Sequence, residues 1–131
     1  MPLWKPITSI NAIWTPGDGS GASLTFTGVA ANYSKVGRII VLEFDLTYPS
    51  TADGSNASIN GLPVAAATLG YVGMVVPVSG GTITGTLTLS TVGGSTTNLN
   101  IYQGNGSGSH ATNANLSLAR LRGLIWGRAA S

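Results

Sequence analysis

The sequence predicts an all-β domain, specifically a two-sheet antiparallel sandwich of jelly-roll type with a short N-terminal arm. Apolar and polar residues alternate with a period of two in several runs, and helical periodicity is almost absent. Clusters of Gly, Pro, Asn and Ser separate the runs. The chain has 131 residues, the length of one domain with one hydrophobic core. The close spacing of the runs predicts seven or eight strands and favours a sandwich over a closed barrel.

The N-terminal segment differs from the rest of the chain. Apolar residues recur there every three positions, with a second tryptophan after the last: Trp4, Ile7, Ile10, Ile13 and Trp14. This spacing fits a short amphipathic helix that begins at Pro6, or an extended arm with apolar anchors. We therefore divide the chain into an attachment arm, residues 1–12, and a sandwich domain, residues 13–131. The alternative is that the arm folds back over its own domain.

The longest alternating run covers residues 36–48. Its even-numbered side chains are all apolar and should line the core: Val36, Ile40, Leu42, Phe44, Leu46 and Tyr48. The odd-numbered face carries two acids, Glu43 and Asp45, beside Ile39 and Val41. We expect this second face to contact solvent.

The other strands are shorter. Residues 22–29 form an early strand, and residues 71–78 form a middle strand that Pro77 places at a sheet edge or at a bulge. Two later strands are expected within residues 83–90 and 98–102, where apolar side chains alternate with Thr, Ser and Asn.

The last run extends from residue 114 to residue 126. Leu116 and Leu118 should point inward, but Arg120 and Arg122 then occupy the same parity. This change predicts a bulge or a new environment near the two arginines.

Three motifs in residues 13–103 resemble a β domain of bacteriophage tail-fibre and tail-spike proteins. They are a Trp-x-Pro opening at residues 14–16, a Tyr-x-x-x-Gly turn at residues 33–37, and a Gly-Leu-Pro turn at residues 61–63, with a long strand between the last two. The resemblance implies a virion module with a β fold, and Tyr33 would hold the strand entrance. It implies no enzymatic activity.

Composition limits the classes of function. Charged residues make up 8% of the chain, against about 25% in ordinary soluble domains. Such a surface suits a subunit packed among copies of itself or surrounded by neutral sugars. The net charge is +2, and the one cluster of cations, formed by Arg120, Arg122 and Arg128, lacks the aromatic residues typical of a nucleic-acid site. No nucleic-acid partner is therefore predicted.

Three absences in the sequence narrow the prediction further. Without cysteine the chain has no disulfides and no thiol-based sites. We see neither a signal peptide nor an apolar run of about 20 residues, so we expect synthesis in the host cytoplasm and no membrane insertion.

Candidate catalytic groups are sparse. Glu43 and Asp45 lie two apart on one strand, roughly 7 Å between backbone positions, a separation that could serve an inverting glycosidase. A solvent-facing acidic pair on a strand is the commoner arrangement, and we prefer it. His110 is the single histidine, and no nucleophile motif accompanies it. Asp18 and Asp53 each precede a glycine, as in ordinary turns, and a structural calcium is the alternative there.

Surface recognition, if the chain performs it, is assigned to Tyr102, Asn105 and His110. Tyr102 lies on the polar parity of its strand beside Asn98 and Asn100, and His110 follows the Gly-rich loop at residues 104–108. We expect no cofactor, no metal and no catalytic residue.

The interpretation of the whole sequence is a non-enzymatic bacteriophage virion protein. We expect a homotrimer of a fibre or receptor-binding type module, displayed on the particle and in contact with the host surface, including a cell-surface glycan. The alternative is a capsid decoration, head-fibre or tail-adaptor protein. Residues 1–12 would attach either form to other virion proteins.

Overall fold

A computed structural model describes residues 9–83, 86–91, 97–103 and 109–130 of the chain. These residues form ten β-strands, one short 3-10 helix and no α-helix. The strands are β1 Ser9–Ile13, β2 Gly17–Asp18, β3 Thr27–Val36, β4 Ile39–Thr47, β5 Ser58–Asn60, β6 Ala66–Ser79, β7 Leu87–Thr91, β8 Leu99–Gln103, β9 Ser109–His110 and β10 Arg120–Ala129. The 3-10 helix, Ala114–Leu116, precedes β10.

All strand pairs are antiparallel, and the hydrogen-bonded order is β1-β3-β4-β10-β6-β7-β8-β5-β2, with β9 beside β8. This sheet curls into a half-barrel, so that its two halves enclose one core. The predicted all-β antiparallel class is confirmed. Ten strands are described rather than seven or eight because β2 and β9 have two residues each, too few for alternation to be recognised. The bounds predicted for the early strand, residues 22–29, are wrong, because residues 22–26 form no strand and β3 spans Thr27–Val36.

Strand β4 confirms the prediction for the even-numbered face. Ile40, Leu42 and Leu46 are fully buried, and Phe44 is nearly so. Val36 is the exception, with 45% of its surface exposed. A two-residue turn at positions 37 and 38 separates β3 from β4 and sets Val36 opposite Ile39, so the parity of the run changes at the turn.

The start of the last strand differs from the prediction. Leu116 is buried, but it lies in the 3-10 helix, and Leu118 is 61% exposed with a positive φ of 63°. The prediction that Leu118 points inward is therefore wrong, because β10 begins only at Arg120. The predicted bulge is confirmed, since the β10–β6 register shifts between Arg120 and Leu121, next to Pro77.

The N-terminal strand β1 pairs with β3 along its whole length. The predicted boundary between residues 12 and 13 therefore falls inside a strand of the sheet. Trp14 is 4% exposed and belongs to the core, which corrects its assignment to the attachment arm. Ile10 and Ile13 are 43% and 80% exposed. Trp4 and Ile7 lie outside the described residues.

Candidate functional site

Strands β4, β10 and β6 lie side by side in the middle of the sheet, and their inward side chains fill the core. We call the opposite side of these three strands the outer face. Seven large apolar side chains lie there, each between 41% and 59% exposed: Ile39, Val41, Val72, Met74, Val76, Leu124 and Trp126. An apolar surface of this kind is unusual on a free monomer and is typical of a contact surface.

Strand register makes the outer face continuous. Trp126 lies on the central strand, β10, directly opposite Val41 on one side and Val72 on the other. Two positions along, Leu124 is opposite Met74. Directly opposed side chains on neighbouring strands are close enough to contact each other, so these residues form one patch with Trp126 near its centre.

The acidic pair lies at one end of the outer face. Asp45 binds two guanidinium groups, with Arg120 Nη2 2.8 Å and Arg122 Nε 3.2 Å from its Oδ2. These contacts, the hydrogen bond from Arg120 foremost, hold the pKa of the Asp45 carboxyl below its ordinary value. An inverting glycosidase needs one protonated carboxyl and one ionised carboxyl that is free to activate a water molecule, whereas both oxygens of Asp45 accept hydrogen bonds from arginines.

A shallow depression of about 350 Å³ lies beside this pair. Ala30, Asn32 and Glu43 are among its lining residues, with Asp45 and Arg122. Because one of the two acids is held by arginines, the geometry favours a structural role for the pair over acid catalysis.

Acid should weaken the fold in part through Asp45. Because the pKa of Asp45 is lower in the folded protein than in the unfolded chain, its ionised carboxylate stabilises the fold at pH values above the unfolded-state pKa of about 3.9. This stabilisation is lost as the pH falls through the folded-state pKa. Asp45→Asn should therefore show a smaller loss of stability between roughly pH 5 and pH 2 than the unchanged chain. Urea midpoints across this range measure the difference.

Some acid sensitivity should persist in the Asp45→Asn variant. The pKa of Asp53 is also lowered, chiefly by a hydrogen bond from Asn113, so this second carboxylate still titrates. Identical pH profiles for the variant and the unchanged chain would contradict the role assigned to Asp45.

The chain matches no family model, no curated protein and no solved structure. The resemblance to phage fibre domains therefore stays a prediction that depends on its motif residues. In the described part of the chain, no helix is long and apolar enough to cross a bilayer.

The two aspartates considered for calcium are engaged with the protein itself. Asp18 accepts hydrogen bonds from the backbone N–H groups of Ser20 and Leu24, both at 2.9 Å. Fully buried Asn113 donates to Asp53 Oδ2 and to Ser20 Oγ, both at 2.8 Å, and so ties three loops together. The described ranges contain no group of three or more His, Cys, Asp or Glu residues that could hold a metal ion.

Two of the three residues assigned to surface recognition lie together. Tyr102 on β8 is paired with His110 on β9, and their ring centroids are 4.6 Å apart. Both side chains are partly exposed, and Asn100 Nδ2 lies 3.4 Å from the Tyr102 hydroxyl. Asn105 and the Gly-rich loop at residues 104–108 lie outside the described residues. The two rings therefore pack against each other at the surface of the β8–β9 pair.

Sequence reasoning missed the outer face as a site. Val72, Met74 and Val76 point outward from β6, while Tyr71 and Val75 on the same strand are buried. A strand that is apolar on both sides is typical of a sheet covered on both faces. This pattern was present in the sequence, but it identifies one strand and not the neighbours that complete the patch.

Proposed function

We propose that this chain is a non-enzymatic bacteriophage virion protein, a surface-displayed module of the fibre or receptor-binding type that contacts the host surface. The observation that carries the proposal is the outer face. On a domain with 8% charged residues, a continuous apolar surface of three strands is best explained as an assembly surface. The virion setting rests on the resemblance at residues 14–16, 33–37 and 61–63.

Contact with the host is assigned to the Tyr102–His110 pair. Its partly exposed rings offer a stacking surface for neutral sugars, and such binding does not depend on charge. The sequence predicts a homotrimer, and the molecular mass of the chain in solution tests this stoichiometry.

The test is to locate the chain in purified particles of the phage that encodes it. Mass spectrometry should detect it, and immunogold labelling should place it on the particle exterior. Its absence from washed particles would overturn the proposal. Tyr102→Ala together with His110→Ala should abolish adsorption of the particle to host cells, whereas Leu118→Asn, at an exposed position away from the pair, should leave it unchanged.

The second candidate is a capsid decoration or adaptor protein attached through the N-terminal arm. It is favoured by β1, which lies at one end of the strand order and exposes Ile13. An exposed apolar side chain on an edge strand is suited to contact with another protein. Deleting residues 1–8, which leaves β1 intact, should then strip the chain from particles. A fibre-type adhesin that binds through Tyr102 would still bind host cells after this deletion.

A further inference from the structure

We propose that the outer face is the contact surface between two copies of this chain, packed face to face about a two-fold axis that crosses the strands at Trp126. The inference rests on the proposed role of the outer face in assembly, and it adds the partner and the register. It is carried by the extent of the apolar patch, by the covering that β6 requires, and by the position of two charges.

The patch is large enough for such a contact. Its seven apolar side chains, each about half exposed, amount to several hundred Å². A standard interface uses about 800 Å² from each partner, and the polar residues around the patch would add to the apolar area. Trp126, near the middle, has the position and the residue type of a binding hot spot.

A second β-sheet face is the kind of partner that this surface fits. The outer face consists of β-branched and long apolar side chains on adjacent strands, and β6 has the two-sided apolar pattern of a strand that another layer covers. Two sheets that face each other pack about 10 Å apart with interdigitating side chains. A second outer face provides this layer with no further component.

Charge complementarity identifies the partner as a second copy. The ion pairs of the described residues are those of Asp45 with Arg120 and Arg122. Glu43 and Arg128, both on the outer face, are left without an ion-pair partner in this part of the chain. An isologous interface must be complementary to itself, so an unpaired acid and an unpaired base on one face fit this symmetry.

The register brings these two charges together. Glu43 is opposite Leu124, two positions before Trp126 on β10, and Arg128 is two positions after it. A two-fold rotation about Trp126 exchanges these levels and moves each Glu43 to the level of Arg128 in the other copy. The two residues then lie in facing sheets about 10 Å apart and are offset by one strand spacing of about 4.8 Å, so roughly 11 Å separates their backbones, a distance that extended glutamate and arginine side chains span together. A three-fold arrangement along β10 keeps the two levels apart, so the charges favour a pair over a homotrimer.

Sedimentation equilibrium of the full chain tests this interface. The unchanged chain should be a dimer. Trp126→Ala should raise the dimer dissociation constant at least roughly 30-fold, as loss of a central aromatic anchor does. Leu118→Asn removes a more exposed apolar side chain outside the outer face and should leave the constant unchanged. Thermal melts followed by circular dichroism verify that each variant is folded.

Charge reversal tests the register. Glu43→Arg and Arg128→Glu should each weaken the dimer about tenfold, because each places like charges opposite one another. The double variant restores both pairs in the same dimer and should return the constant to within about threefold of its original value. A double variant as weak as the single variants would overturn the proposed register.

Three other outcomes would overturn the proposed two-fold dimer itself. A monomer at roughly 100 μM, well above the Kd of a standard interface, would contradict self-association. A trimer would contradict the two-fold axis. A monomer that dimerises only after deletion of residues 1–8 would show that this segment covers the outer face. Each leaves the proposed function standing if the chain is found in virions, whereas a dimer absent from virions would overturn the proposed function alone.

Discussion

Trp14→Ala should destabilise the domain by about 3–5 kcal/mol, the range for deleting a large buried aromatic side chain. The indole is 4% exposed. Its Nε1 lies 3.1 Å from the carbonyl oxygen of Asn32 and 3.3 Å from that of Glu43, on two neighbouring strands. Its ring meets Phe44 edge-on, with centroids 6.1 Å apart. The alanine variant loses all of these contacts, and urea unfolding monitored by circular dichroism measures the free-energy change.

Trp14→Phe is the matched control, because it keeps an aromatic ring beside Phe44 but has no N–H to donate. Trp14→Phe should destabilise the domain less than Trp14→Ala, because the phenyl ring preserves part of the packing. It should still lower the free energy of unfolding by about 1–3 kcal/mol, because the two carbonyl groups lose the indole donor and the ring is smaller. An anchor for another virion protein would behave differently, since its removal would spare the isolated domain. An unchanged urea midpoint in Trp14→Ala would therefore contradict the core position.

The sequence could not place Trp14 because the deciding contacts are distant in the chain. Its spacing from Ile10 and Ile13 is that of an apolar stripe on an exposed arm. In the fold its backbone N–H bonds to the carbonyl group of Ala31, and its indole bonds to residues 18 and 29 positions away. Alternation within a run, as in β4, is a local property that the sequence displays directly. Which runs pair with one another is not visible in the sequence.

The outer face illustrates the same limit for the site. The apolar character of Ile39 and Val41 on one strand, and of Val72 and Met74 on another, is visible in the sequence. These two strands share one surface only because β10 lies between β4 and β6 and pairs with both of them. Trp126 takes its central position from this strand order. By contrast, the bulge could be predicted from local features of the sequence. Arg120 and Arg122 break the apolar alternation of their run, and Pro77 cannot donate a hydrogen bond within a sheet, so neither observation depends on knowing which strands pair.

Gly61→Ala should also destabilise the domain strongly, by about 3 kcal/mol or more, for two separate reasons. The residue has a φ of 87°, a conformation that costs an L-residue about 1–2 kcal/mol. A Cβ at this position would also overlap the carbonyl oxygen of Thr15, a backbone atom that cannot rotate away. Gly61 begins the Gly-Leu-Pro turn and Thr15 lies in the Trp-x-Pro opening, so this contact joins two of the motifs on which the resemblance depends.

Two other glycines separate the effect of the positive φ from the effect of the steric overlap. Gly21 has nearly the same φ, 88°, but no atom lies within 4 Å of the position that an added methyl group would take, so Gly21→Ala reports the backbone strain alone. Gly54 has open space around it and no positive φ, so Gly54→Ala should be close to neutral. The expected order of destabilisation in urea is Gly61, then Gly21, then Gly54. If Gly61→Ala cost no more than Gly21→Ala, the close approach between the two motifs would be refuted.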